Sequence, residues 1–131
     1  MTEAVWDRVR TFALGLPQAI EDFPWETPVI KIDHPPGQLI GGGLVFGPMF
    51  LWLGKPDASL PAVSVKLRAS YEEAVSVADA TPMTYSGLGQ WGWLTVPLDR
   101  GVDLRLLCDW VEESYRIVAP KKLIAELDES G

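Results

Sequence analysis

The chain has 131 residues, 47% of them hydrophobic and 22% charged, with a formal net charge of −7. That is the length of one domain, long enough to bury a core without disulfides or metals, and its apolar stretches stop well short of the ~20 residues a membrane span needs. The acidic total disfavours non-specific binding to nucleic acid or anionic membranes, and the single cysteine, Cys108, excludes an internal disulfide and a cysteine-based zinc site.

The first residues have no basic stretch followed by an apolar core, so no signal peptide is expected and the expected compartment is the reducing cytosol. Residues 2–15 read as an amphipathic helix. Val5, Val9, Phe12, Ala13 and Leu16 share one face, Thr2 suits the N-cap, and Gly15 with Pro17 ends the run. Residues 21–28 read as a turn-rich connection into a strand over 29–32, and His34-Pro35-Pro36-Gly37 as a rigid turn. Gly41-Gly42-Gly43 lies within a further apolar segment closed by Gly47-Pro48.

Strands are predicted over 49–55 and 62–68. In the second, Val63, Val65 and Leu67 alternate with Ser64, Lys66 and Arg68, which predicts one buried and one wet face. In the first, Met49, Leu51 and Leu53 fall on one face and Phe50 and Trp52 on the other. A second helix begins at Ser70, which with Glu73 makes a capping-box pattern; Tyr71, Ala74, Val75 and Ala78 form its apolar stripe and Pro82 ends it. Residues 91–98 read as a strand in which Pro97 implies an edge or a bulge. The third helix, 103–118, turns Leu104, Leu107, Cys108, Val111, Tyr115 and Val118 to the core, widened by Leu106, Trp110 and Ile117. A short helix follows over 121–127, with Pro120 in its first turn.

The order is helix, three or four strands, helix, one or two strands, helix. It predicts a single α+β domain over residues 1–131, a two-layer sandwich with a mainly antiparallel sheet and its helices on one face.

Three segments resemble the YjbR/MmcQ-like family of small bacterial proteins. They are Asp22-Phe23-Pro24-Trp25-Glu26-Thr27-Pro28-Val29-Ile30-Lys31, Gly92-Trp93-Leu94-Thr95-Val96-Pro97-Leu98-Asp99, and Ser114-Tyr115-Arg116-Ile117-Val118-Ala119-Pro120-Lys121-Lys122-Leu123. They occur in register and span nearly the whole chain. The resemblance implies a two-layer α/β sandwich and, from the family's "DNA-binding, double-wing" label, an association with DNA. Between Asp33 and Pro48 the chain departs from that pattern with a longer Pro/Gly-rich insertion.

No catalytic, cofactor or metal site is expected. His34 is the only histidine and has no partner for a dyad or metal site. Cys108 sits on a helical apolar stripe. The glycine run lacks the Lys-Ser/Thr of a phosphate loop. Glu21, Asp22 and Glu26 cluster near Trp25 but face no evident nucleophile, so the chain is read as non-enzymatic.

The candidate binding surface is the sheet face without helices. Residues 31–68 carry Lys31, Lys55, Lys66 and Arg68 against Asp33 and Asp57, a basic stretch within an acidic chain. Large apolar groups on a face that should be wet imply a cover. A second copy or another protein ranks first on the residues, a fold-back of the 33–48 insertion second, and a nucleic-acid strand third. The residues nominated are Trp25, Lys31, Trp52, Lys66, Arg68 and Trp93, with Arg116, Lys121 and Lys122 as a separate basic cluster. Two functions follow: a binding or adaptor domain associated with DNA, which the resemblance implies, or a self-associating or protein-interaction module with no nucleic-acid role.

Overall fold

Thr2–Leu14 form helix α1 because Val9 and Ala13, one turn apart, bury the same stripe, joined by Trp6 and, just beyond the last turn, Leu16. Four strands follow: β1 (Ala19–Asp22), β2 (Val29–Ile32), β3 (Met49–Trp52) and β4 (Ala62–Lys66). Next come helix α2 (Tyr71–Ala78), the two-residue strand β5 (Thr81–Pro82), β6 (Trp93–Pro97), α3 (Leu104–Val118) and α4 (Lys121–Ser130). The structure is a computed structural model that describes residues 2–23, 28–32, 49–54, 61–83 and 89–130. Trp25, Glu26, His34, the 41–43 glycine run, the 33–48 insertion and Lys55 lie outside the described residues.

The strands form one six-stranded sheet in the order β1-β2-β3-β4-β6-β5, antiparallel throughout. This is the α+β arrangement expected from the pattern of short strands interrupted by helices. Ile30, Ile32, Leu51, Val63, Val65, Leu94 and Val96 line one face, and the same core takes in Val9 and Ala13 of α1, Ala74 and Ala78 of α2, and Leu107, Trp110, Val111 and Tyr115 of α3. The described helices therefore bury their apolar stripes on one side of the sheet.

Several local expectations are corrected. Glu21 and Asp22, read as the start of a turn-rich connection, belong instead to an edge strand, Ala19–Asp22, paired residue for residue with Val29–Ile32. Phe50 does not share a face with Trp52. The β2–β3 register passes from Ile30↔Leu51 to Lys31↔Met49, so Phe50 is the extra residue of a bulge. It turns into the core beside Leu51, where its ring meets Tyr115 edge-on at a centroid distance of 5.1 Å. In α2, Val75 is exposed and only Ala74 and Ala78 are buried. Cys108 is half-buried rather than a core residue, while Trp110 is fully enclosed.

Pro97 sits where its missing N–H costs nothing. Leu98 donates to Pro61 O, Leu67 to Gly92 O, and Met83 to Trp93 O, so even-numbered β6 residues bond towards β4 and odd ones towards β5. β5 reaches only Leu94 and Thr95, so at Pro97 the sheet is already at its edge. At the other end of β6 the strand begins at Trp93, not Trp91. Gly92, at φ 96°, passes so close to Leu67 that a Cβ would lie 2.7 Å from its carbonyl oxygen.

Candidate binding surface

The register places one residue from each strand in a row across the face opposite the helices: Asp22, Val29, Trp52, Ser64, Thr95 and Thr81. Alongside it, Lys66 is paired with Trp93. Four nominated residues (Lys31, Trp52, Lys66 and Trp93) thus share this face, as the alternation of the strands requires.

The face is less wet than the alternation predicts. Ser64, expected to be solvated, is only 7% exposed and its hydroxyl lies 3.1 Å from that of Thr95. Trp93 is 6% exposed and Val29 2%. All three are buried within a single copy of the chain, so no second molecule is needed to remove them from water. Among the described residues the large apolar groups that remain exposed are Phe23, Val75 and Val77 of α2, and Trp91, 65% accessible in the turn before β6.

The cations divide three ways. Lys31 Nζ is 2.6 Å from Asp22 Oδ2, on the same face one strand over from Trp52, and holds that carboxyl below the usual carboxylate range with help from the Phe23 N–H. Arg116 is bound by two carboxylates, Glu112 at 3.1 Å and Asp128 at 2.7 Å, and these hydrogen bonds raise its pKa. Arg116, Lys121 and Lys122 belong to the helical layer and do not join the sheet-face group. Lys66 and Arg68 make no side-chain ion pair with a described residue.

Glu21 and Asp22, weighed as an acid/base pair, point to opposite faces. Glu21 takes a bidentate contact from Arg10 of α1, at 2.8 and 2.7 Å, while Asp22 turns to Lys31. Their separation follows from adjacency along a strand. Among the described residues no group of His, Cys, Asp and Glu is arranged to hold a metal. The half-buried thiol of Cys108 is pushed up by desolvation and by Asp109, the direction that keeps a thiol unreactive.

Two residues behind this face were not found from the sequence. Ser114 of α3, fully buried, donates its hydroxyl to Phe50 O at 2.6 Å and accepts from Lys66 N–H at 2.9 Å. Its neighbour Glu113 accepts from the N–H groups of Arg68 and Ser70 at 2.8 and 3.2 Å and from the Ser70 hydroxyl at 2.7 Å. That replaces the expected capping box, since Ser70 makes no side-chain cap bond of its own and Glu73 instead faces Trp110 Nε1 at 3.4 Å. The sequence did hold a signal for Ser114. It falls on the stripe of Leu107, Val111 and Tyr115, where a hydroxyl has to find partners inside the protein.

A groove of about 540 Å³ lies at the β5–β6 edge between Val75, Thr81, Thr95 and Pro97, with the exposed Asp79–Arg100 pair at its rim.

No curated protein matches the sequence. A crystal structure of a Deinococcus radiodurans protein with a DUF419 domain superposes with a TM-score of 0.68, covering 93% of this chain and 86% of that one at 24% identity. It is similar to this chain in fold. The sequence itself matches the family model described as YjbR over residues 14–117, from the end of α1 to the last turn of α3, and the chain belongs to the YjbR family.

Proposed function

We propose that this YjbR-family chain is a non-enzymatic binding domain that works through the sheet face away from its helices, and that it meets a protein there rather than nucleic acid. The disposition of the cations carries the reading. Of the six nominated, Lys31 and Arg116 are neutralised within the chain and Lys121 and Lys122 lie in the helical layer, leaving Lys66 on the sheet face and Arg68, exposed just beyond the end of β4. Duplex-binding proteins with strong salt dependence neutralise about six to ten phosphates. Two cations in a chain of charge −7 fall well short of that. A half-buried tryptophan, Trp52, with a few charges nearby suits a protein surface.

DNA association, which the family resemblance implies, is the competing reading, and one experiment separates the two. Titration with single- and double-stranded oligonucleotides is expected to show no binding at low ionic strength. Salt-dependent binding whose log–log slope drops by about two in the Lys66→Ala, Arg68→Ala double variant would overturn the protein-partner reading. A second copy is the first partner to test. Light scattering is expected to show a concentration-dependent dimer that Trp52→Glu disrupts, and a monomer at high concentration counts against self-association.

A further inference from the structure

The six-stranded sheet is joined unevenly. β1 and β2 pair over four residues, β2 and β3 over three across a bulge and β4 and β6 over five, whereas the interior strands β3 and β4 pair over two, Leu51↔Val65 and Trp52↔Ser64, as few as the two-residue edge strand β5 makes with β6. β4 directs the backbone groups of Pro61 and Leu67 towards β6. By alternation Ser64 and Lys66 then direct theirs towards β3. In an unbroken ladder the Lys66 N–H would reach Phe50 O. It bonds to Ser114 Oγ instead, and the same hydroxyl donates to Phe50 O. A helix side chain has been inserted into the sheet, at the residue where the β2–β3 bulge has already turned the Phe50 backbone.

We propose that Ser114 is a latch across a seam that divides the sheet into two units, β1-β2-β3 and β4-β6 with its short edge strand β5, and that the β3–β4 seam opens locally while β1–β2, β2–β3 and β4–β6 pairing persists. The physical basis is the small number of bonds across the seam. Among the described residues, one directly bonded residue pair and one hydroxyl relay bridge the two backbones there, and both strands also pack against α3. The hydroxyl fits no other role on that stripe, where an apolar residue would pack without polar partners to satisfy. Glu113 reinforces the division. It ties α3 to the segment after β4, so that α3 holds the β4 unit through Glu113 and both units through Ser114. Trp52 and Lys66 flank the seam on the opposite face, one on each unit, so opening it changes their spacing.

Native-state hydrogen exchange on the unmodified protein in low guanidinium tests this. The amides of Lys66 and Ser64 are expected to exchange through a smaller opening than the β4–β6 amides of Val63, Leu94 and Val96. In Ser114→Ala, which leaves both seam groups unpaired, Lys66 and Ser64 should exchange about ten- to a hundredfold faster, with the β4–β6 amides moving much less. Val96→Ala, which destabilises the core of one unit, serves as the control and should raise exchange across the whole sheet. Equal opening free energies for all these amides in the unmodified protein, or a uniform rise in Ser114→Ala matching that of Val96→Ala, would overturn the latch. The first measurement needs no variant, so a Ser114→Ala protein that fails to fold leaves the test intact.

Discussion

The two faces of this sheet are built from the same strands yet do different work. On the helix side, Ile30, Leu51, Val65 and Leu94 are fully enclosed. Polar groups reaching into that layer have partners: Trp6 Nε1 donates to Leu53 O at 2.8 Å and the Tyr115 hydroxyl to Pro17 O at 2.8 Å. On the other side the equivalent row reads Asp22, Val29, Trp52, Ser64, Thr95, Thr81, a mixture that no packing rule selects. Identity on the first face is dictated by close packing, where a lost methylene is felt. On the second, identity follows cross-strand polar pairs such as Ser64 with Thr95 and Lys31 with Asp22.

Phe50 and Trp52 give that comparison its largest test, because they stand two residues apart on one strand and face opposite ways. Phe50→Ala removes a fully buried ring and its edge contact with Tyr115, and is expected to cost about 3–5 kcal/mol in urea unfolding. Trp52→Ala, at a half-buried site, should cost about 1–2 kcal/mol despite the larger side chain. Equal costs would mean that the two faces contribute alike to stability.

The same pair shows how far the sequence could be read. Alternation puts Phe50 and Trp52 on one face. It fails because a bulge is a register event between two strands, and neither strand alone encodes it. The strand Ala19–Asp22 escaped for a related reason. Its four residues end in two acids whose burial depends on Arg10 and Lys31, partners distant in sequence. Helices α1 and α3 were legible because their stripes and ends are local: Asp103 caps α3 by accepting from Arg105 N–H and Leu106 N–H, and α1 ends at Gly15, whereas the start of α2 is held by Glu113, a partner distant in sequence. At the candidate site, the alternation placed Lys31, Lys66 and Trp93 on a common face with Trp52. It could not reveal that Asp22 neutralises Lys31, or that Ser64 and Trp93 are already buried.

Glu113 supplies a smaller test, on the helix side. Burial pushes its carboxyl pKa up, but bonds from the Arg68 N–H, the Ser70 hydroxyl and the Ser70 and Ala69 N–H groups outweigh that and leave it below the usual glutamate value. A depressed folded pKa means that the stabilisation is fully present above the unfolded glutamate pKa. It is lost as pH falls through the lower folded one. Glu113→Gln should therefore cost about 1–2 kcal/mol at neutral pH, with the gap from the unmodified protein closing in acid. Asp22 and Asp128 also titrate low, and both chains share them, so the difference between the two unfolding curves isolates Glu113. A gap that stays constant with pH would mean that the carboxylate charge contributes nothing to holding α2.

The smallest expected effect on stability belongs to Lys66, on the face opposite, and Arg68, exposed just beyond the end of β4. The Lys66 and Arg68 side chains carry no ion pair to a described residue, and their backbone N–H groups are held by Ser114 and Glu113 whatever the side chain. Lys66→Ala with Arg68→Ala should therefore shift unfolding by no more than about 0.5 kcal/mol, within the range of ordinary surface changes. A cost well above that in equilibrium unfolding would show that these cations support the fold. It would also weaken the proposal that they serve a partner, because residues the fold does not need are the ones free to be shaped by binding.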